Sequence, residues 1–162
     1  MKLSGRQIDS FLNDPGNAVA AVLIYGPDQG LVRERADHVM RAVAGSTDDP
    51  FRTASLGEQD VADDDERLAA ERAAMAFGGG RRAVRIDGGD RLASAVEGAL
   101  AAEGDGLIII VAGDLTPRAK LRKLCETAPN AAVLPCYADD ARAMEQVIRE
   151  TLSSAGLTIG RE

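Results

Sequence analysis

Tryptophan is absent from this chain of 162 residues, and three phenylalanines and two tyrosines supply only 3% aromatic content. With 45% hydrophobic residues and so few rings, the core must be built mainly from Ala, Val, Leu and Ile. Alanine-rich helices packed closely on a sheet are the natural solution, in one globular domain with room for a piece of a second. Cysteine is nearly as scarce. Cys125 and Cys136 are too far apart for a C-x-x-C motif and have only His38 as a possible third ligand, which argues against a zinc site. They read as two reduced thiols of a cytoplasmic protein. No apolar run approaches the roughly twenty residues of a membrane helix. The opening MKLSGRQID has no apolar signal region, so nothing directs export. Basic residues are outnumbered, 19 Lys and Arg against 26 Asp and Glu, giving a formal charge of −7 and a pI near 4.8. That balance disfavours a domain that holds DNA by neutralising many phosphates and makes a protein partner the default.

Catalytic signatures are missing too. There is no G-x-S-x-G, H-E-x-x-H or G-x-G-x-x-G. His38 has no acid or nucleophile near it in sequence and reads as a surface or packing residue. Asp87 and Asp114 each follow an expected strand, but Gly88 and Leu115 stand where a magnesium-holding acid pair would need its second member. A lone Asp there suits a turn or a helix cap.

What is present is organised around Ala20–Val32, AAVLIYGPDQGLV. An apolar run ending in Gly-Pro-Asp-Gln-Gly, with a helical pattern after it, predicts a buried strand, a tight turn and a helix start. Nucleotide-binding α/β domains place their phosphate loop there. Matched to G-x-x-x-x-G-K-[ST] from Gly26, the second glycine is Leu31, the lysine Val32 and the hydroxyl residue Arg33. With Gly30 as the second glycine, Leu31 and Val32 replace the lysine and the hydroxyl. Neither register supplies an ammonium for the phosphates or a hydroxyl for magnesium, so no cofactor is expected. An ordinary strand-to-helix turn has the same signature.

Around this stretch the pattern alternates. Ser4 is placed to cap a first helix carrying Ile8, Phe11 and Leu12. Val32, Ala36, Val39, Met40 and Val43 form the stripe of a second, with Arg33, Glu34, Arg35 and Asp37 mostly off it. Phe51–Leu56, Ala83–Ile86, Leu107–Val111 and Ala131–Tyr137 read as further strands, the third of these covered on both faces. One helix is expected over Gln59–Ala76 behind an acidic start, another around Leu92–Leu100, and a third opened by Thr116-Pro117 and burying Leu121, Leu124 and Cys125. Five strands alternating with helices imply an α/β fold, a five-stranded parallel sheet with helices on both faces. Asp139-Asp140 would cap a last helix with Met144, Val147, Ile148 and Leu152, and the Leu157/Ile159 pair beyond it suggests another element cut short.

Two features could carry function. Arg118, Lys120, Arg122 and Lys123 are the densest basic set, either a solvated helix face or a contact to DNA phosphate. Met75-Ala76-Phe77 stands at the expected end of a helix beside Gly78, Gly79 and Gly80. It is either a hydrophobic plug for a partner's pocket or core folded back onto the domain.

Several stretches, running in order over essentially the whole chain, resemble the delta subunit of the bacterial DNA polymerase III clamp loader. They are VLIYGPDQGLVRERA, MAFGGGRRAVRI, IIIVAGDLTPRAKLRKLCE and APNAAVLPCYADD with the following AGLTI. The resemblance implies an AAA+-like, P-loop NTPase-type domain that binds no ATP, with Gly26, Gly30, Leu31 and Val32 as a degenerate loop and no intrinsic enzymatic activity. A Ser-Arg-Cys arginine-finger stretch is also missing. In that family the tip of a helix enters a hydrophobic pocket on the ring-shaped beta sliding clamp and loosens one interface, and ATP binding by other subunits exposes the tip. The implied clamp-binding residues here are Met75, Ala76, Phe77 and Gly78, with the register open by one residue. The other implied partners are gamma/tau, delta prime and, within the full complex, primed DNA, with no membrane. Residues 1–138 would be the AAA+-like domain and 139–162 the first helix of a truncated helical lid. The reading from another class is a small nucleotide-dependent phosphotransferase with an atypical loop.

Overall fold

Leu107–Val111 (β4), five aliphatic residues in a row, is wholly buried and forms the middle of the sheet. The structure, a computed structural model, describes residues 1–76, 78–137, 149 and 156. In chain order the helices and strands before β4 are α1 Arg6–Asn13, β1 Ala21–Tyr25, α2 Gln29–Ala44, β2 Thr53–Gly57, α3 Glu58–Ala62, α4 Arg67–Ala73, β3 Ala83–Asp87 and α5 Ala93–Ala101. A short 3-10 turn, Asp90–Leu92, leads into α5, and α6 Lys120–Thr127 and β5 Ala131–Pro135 follow β4. The strands lie in the order β2-β3-β4-β1-β5 and every pair is parallel.

Because successive strand side chains point to opposite faces, the sheet feeds two cores. Leu23, Tyr25, Val84, Ile86, Ile108 and Ile110 pack on the side that also buries Leu68, Val96 and Leu121. Val22, Ile24, Ile109 and Leu134 pack on the side of Phe11, Val32, Val39 and Met40. The expected parallel sheet with helices on both faces is what forms. The outer edge of β5 is covered by the first residues, with Leu3 N donating to Val133 O at 2.8 Å and Val133 N to Met1 O at 2.8 Å.

Four local expectations are corrected. Ser4 does not cap α1; Gly5 holds that position at φ 53°, because pairing of Lys2 and Leu3 with β5 forces a sharp turn before the helix. Thr116-Pro117 forms a turn, with Ala119 N donating to Thr116 O at 3.0 Å, and α6 starts at Lys120. Its cap comes from across the fold, where Asp90 Oδ1 accepts from Leu121 N at 3.2 Å. The single helix expected over Gln59–Ala76 is two. Four consecutive acids, Asp63 to Glu66, separate α3 from α4, and Asp64 Oδ1 accepts from Glu66 N at 3.1 Å in place of helical pairing. Finally, Arg35 is buried rather than on the outer side of α2, its Nη1 donating to Pro135 O at 3.0 Å and lying 3.3 Å from Cys136 Sγ. Phe77, the capped last helix and the Leu157/Ile159 pair lie outside the described residues.

Candidate functional site

The strand-to-helix loop after β1 is only Gly26, Pro27 and Asp28 long. Gly26 sits at φ 145°, and a Cβ there would lie 2.2 Å from the Cys136 carbonyl oxygen, so only glycine lets the end of β5 approach this closely. Asp28 N reaches the same carbonyl at 3.4 Å. Asp28 then caps α2: its carboxylate accepts from Leu31 N at 3.1 Å and its carbonyl from Val32 N at 3.0 Å. Gln29 spans the ends of the two central strands, its Nε2 donating to Gly26 O at 2.7 Å and Ala112 O at 3.1 Å.

These bonds bridge the carboxyl ends of the central strands, where a nucleotide lies in such folds. A phosphate brought to the start of α2 would meet the Asp28 carboxylate, already bound to one of the amides that an anion would need. Val32 is fully buried and Leu31 packs against the same core, so the positions a lysine and a hydroxyl would fill are used for packing. Gly30 is exposed beside them. Asp87 is held by Arg85, with Nε to Oδ1 at 2.8 Å and Nη2 to Oδ2 at 3.2 Å. Asp114 lies exposed past β4. Among the described residues no cluster of three or more His, Cys, Asp and Glu side chains could hold a metal ion. His38 is exposed and its Nε2 lies 2.9 Å from Asn13 Oδ1, joining α2 to the end of α1.

At the opposite end of the sheet the chain leaves α4 through extended Ala74 and projects Met75 with 88% of its surface exposed. Ala76 is half-buried, and Gly78, Gly79 and Gly80 all take positive φ, between 84° and 86°. The base of this tip is fixed by arginines. Arg72, buried on α4, donates from Nε to Gly106 O at 3.0 Å, from Nη1 to Ala102 O at 2.8 Å and Ala99 O at 3.2 Å, and from Nη2 to Gly104 O at 2.7 Å. On the return side Arg81 donates to Asp105 O at 2.7 Å, to Gly16 O at 2.9 Å and to Val19 O. Arg82 pairs with Glu71 on α4 at 2.8 Å. Desolvation lowers the pKa of both Arg72 and Arg81, with nearby Asp105 opposing the shift. The stem is therefore held to the domain on both sides while Met75 stands exposed.

No protein-family model and no curated protein matches the sequence. Solved structures do resemble it. The DNA clamp loader delta protein YqeN of Bacillus subtilis superposes with a TM-score of 0.64 at 19% identity, covering 94% of this chain and 48% of its own. A DNA polymerase III gamma subunit-related protein of Thermotoga maritima gives 0.57 at 14% identity over 89% of this chain and 49% of its own. The chain has the clamp-loader fold. It spans about half the length of each of these clamp-loader proteins.

Within the clamp-loader fold the four basic residues of the 118–123 stretch do not act together. Arg122 turns inward: its guanidinium lies 5.2 Å over the Tyr25 ring, its Nε bonds Glu126 at 2.8 Å and its Nη1 bonds Leu115 O at 2.9 Å. Arg118, Lys120 and Lys123 remain exposed. Arg72 has no outward sequence signal beyond standing on an otherwise apolar helical stripe. Its function as the stem's anchor is visible only once α4 lies against the 102–106 loop.

Proposed function

We propose that this chain is the first domain of a delta-type clamp-loader subunit of DNA polymerase III, a non-catalytic unit that binds and opens the beta sliding clamp for loading onto primed DNA. Residues 1–138 form the AAA+-like domain in this reading, and 139–162 begin a helical lid. The observation that carries it is Met75, 88% exposed on a stem that Arg72, Arg81 and Arg82 hold against the domain. Burying this side chain in a partner's apolar pocket would contribute about 1.5–3 kcal/mol to binding. Insertion opens the clamp by differential binding: a tip that binds the open ring better than the closed one shifts that equilibrium by the difference in affinity. Gamma/tau and delta prime are the expected neighbours, and primed DNA is met within the full complex.

The phosphotransferase reading is disfavoured by Asp28, whose carboxylate is bonded to an amide at the start of α2, and by Gln29, whose side chain bridges the ends of β1 and β4. Direct DNA binding by the 118–123 stretch is disfavoured by the inward turn of Arg122. The test is binding of this chain to a sliding clamp from the same organism. Wild-type binding that Met75→Ala/Phe77→Ala weakens about a hundredfold, with the fold intact, supports the tip as anchor. Equal binding by both proteins would move the contact elsewhere, and no binding by the folded wild type would remove the proposal.

A further inference from the structure

Phe51 stands outside the strand that the sequence assigned it to. β2 begins at Thr53, and Phe51 precedes it with 60% of its surface exposed. Among the described residues only four large apolar side chains are exposed, and Phe51 and Met75 are the two most exposed. A turn centred on Asp49 holds Phe51 in this position. Asp49 Oδ1 accepts from Phe51 N at 2.9 Å, and Asp49 O accepts from Arg52 N at 3.1 Å, Thr53 N at 2.8 Å and Thr53 Oγ1 at 2.8 Å.

The sheet register carries Phe51 to the tip. Thr53 pairs with Ala83, and Ala83 N donates to Arg52 O at 3.0 Å, so the residues just before β2 lie beside those just before β3. Adjacent strands run about 4.8 Å apart. The tip is the segment that feeds β3, and Arg52 Nη2 lies 3.4 Å from the place a Cβ would take on Gly78. Phe51, Arg52, Met75 and Gly78–Gly80 therefore share one end of the molecule, although Phe51 and Met75 are 24 positions apart in the sequence. No carboxylate pairs with Arg52 among the described residues.

We propose that Phe51 is a second apolar anchor of the clamp-binding surface, with Arg52 between the anchors meeting an acidic rim on the clamp. The inference rests on the clamp-binding reading and widens it from one loop to two. Two anchors fixed by separate turns restrain the clamp's orientation as well as its position, which one flexible methionine cannot do. The partner surface it requires is an apolar pocket or groove bordered by carboxylates.

The experiment is binding of the full chain and its variants to the sliding clamp of the same organism, with urea midpoints measured in parallel. Phe51→Ala is expected to weaken binding about tenfold with little change in midpoint, and Phe51→Leu to stay within about threefold of wild type. Arg52→Glu should also weaken binding, by a factor that shrinks as salt rises. Clamp addition should slow amide hydrogen exchange at 50–53 together with 74–80, a readout that needs no substitution. If Met75→Ala/Phe77→Ala loses binding while Phe51→Ala matches wild type and 50–53 gain no protection, the second anchor is wrong and the tip reading stands. If the wild-type chain does not bind the clamp at all, both fail.

Discussion

Cys125 lies fully buried on α6, and desolvation pushes its thiol pKa up from 9.0 to about 12. Between those two values the folded chain keeps a proton that the unfolded chain has released. The contribution to stability is therefore complete below about pH 9 and is lost as pH rises toward 12. Tyr25 acts in the same direction above its ordinary value of 10.0, chiefly through burial and then through Tyr137. Urea midpoints should fall between pH 9 and 11, and Cys125→Ala should flatten that decline. An equally steep decline in the variant would assign the effect to other groups. The sequence supplied the two thiols as a matter of composition, and the fold buries both. It did not supply Arg35, whose position in a helical pattern looks solvated until the end of β5 is placed beside it.

At the scale of elements, α4 is a short helix held by buried Leu68, by the Glu71–Arg82 pair and by the hydrogen bonds of Arg72. Arg72→Met would keep the apolar stem and remove every donor, leaving the carbonyls of Ala99, Ala102, Gly104 and Gly106 to find other partners. Breaking a buried charged group's hydrogen bonds should cost about 2–4 kcal/mol in urea unfolding. It should also weaken clamp binding, because the stem loses its hold on the loop before β4. A loss below about 0.5 kcal/mol, the range of an ordinary surface substitution, would show that α4 is held by its other contacts. Helix existence was readable from apolar spacing along most of the chain, and boundaries were not. The long helix expected from Val61, Leu68 and Ala69 broke where four carboxylates repel one another and Asp64 captures a backbone amide. The start of α6 was misplaced because its cap, Asp90, is 31 residues away from the amide it receives.

On the scale of the whole molecule, five parallel strands with β4 and β1 at the centre place the loop after β1 and the tip before β3 at opposite ends of the sheet. A change at the emptied loop does not touch the proposed clamp surface directly. Magnesium-ATP at about 1 mM would raise stability by about 2.7 kcal/mol if it bound a hundredfold tighter than that concentration. With Asp28 bonded at the start of α2 and Gln29 across the strand ends, an unchanged melting temperature is expected in thermal unfolding. A clear rise would revive the nucleotide-dependent reading.

The sequence by itself determined the alternation of strands and helices, the parallel sheet, the aliphatic core and the lack of a phosphate-binding lysine and hydroxyl. All of these follow from local spacing and residue type, which act over a few residues. Tertiary structure alone decided which polar groups face inward and which distant loops meet. Gln29 is one more polar residue at a helix start until the end of β4 brings Ala112 O within 3.1 Å, Arg72 is a gap in an apolar stripe until the 102–106 loop arrives, and Phe51 is one more strand residue until pairing of β2 with β3 carries it to the tip. Each depends on chain segments brought together by burial of the sheet, and no pattern within a single segment encodes that meeting.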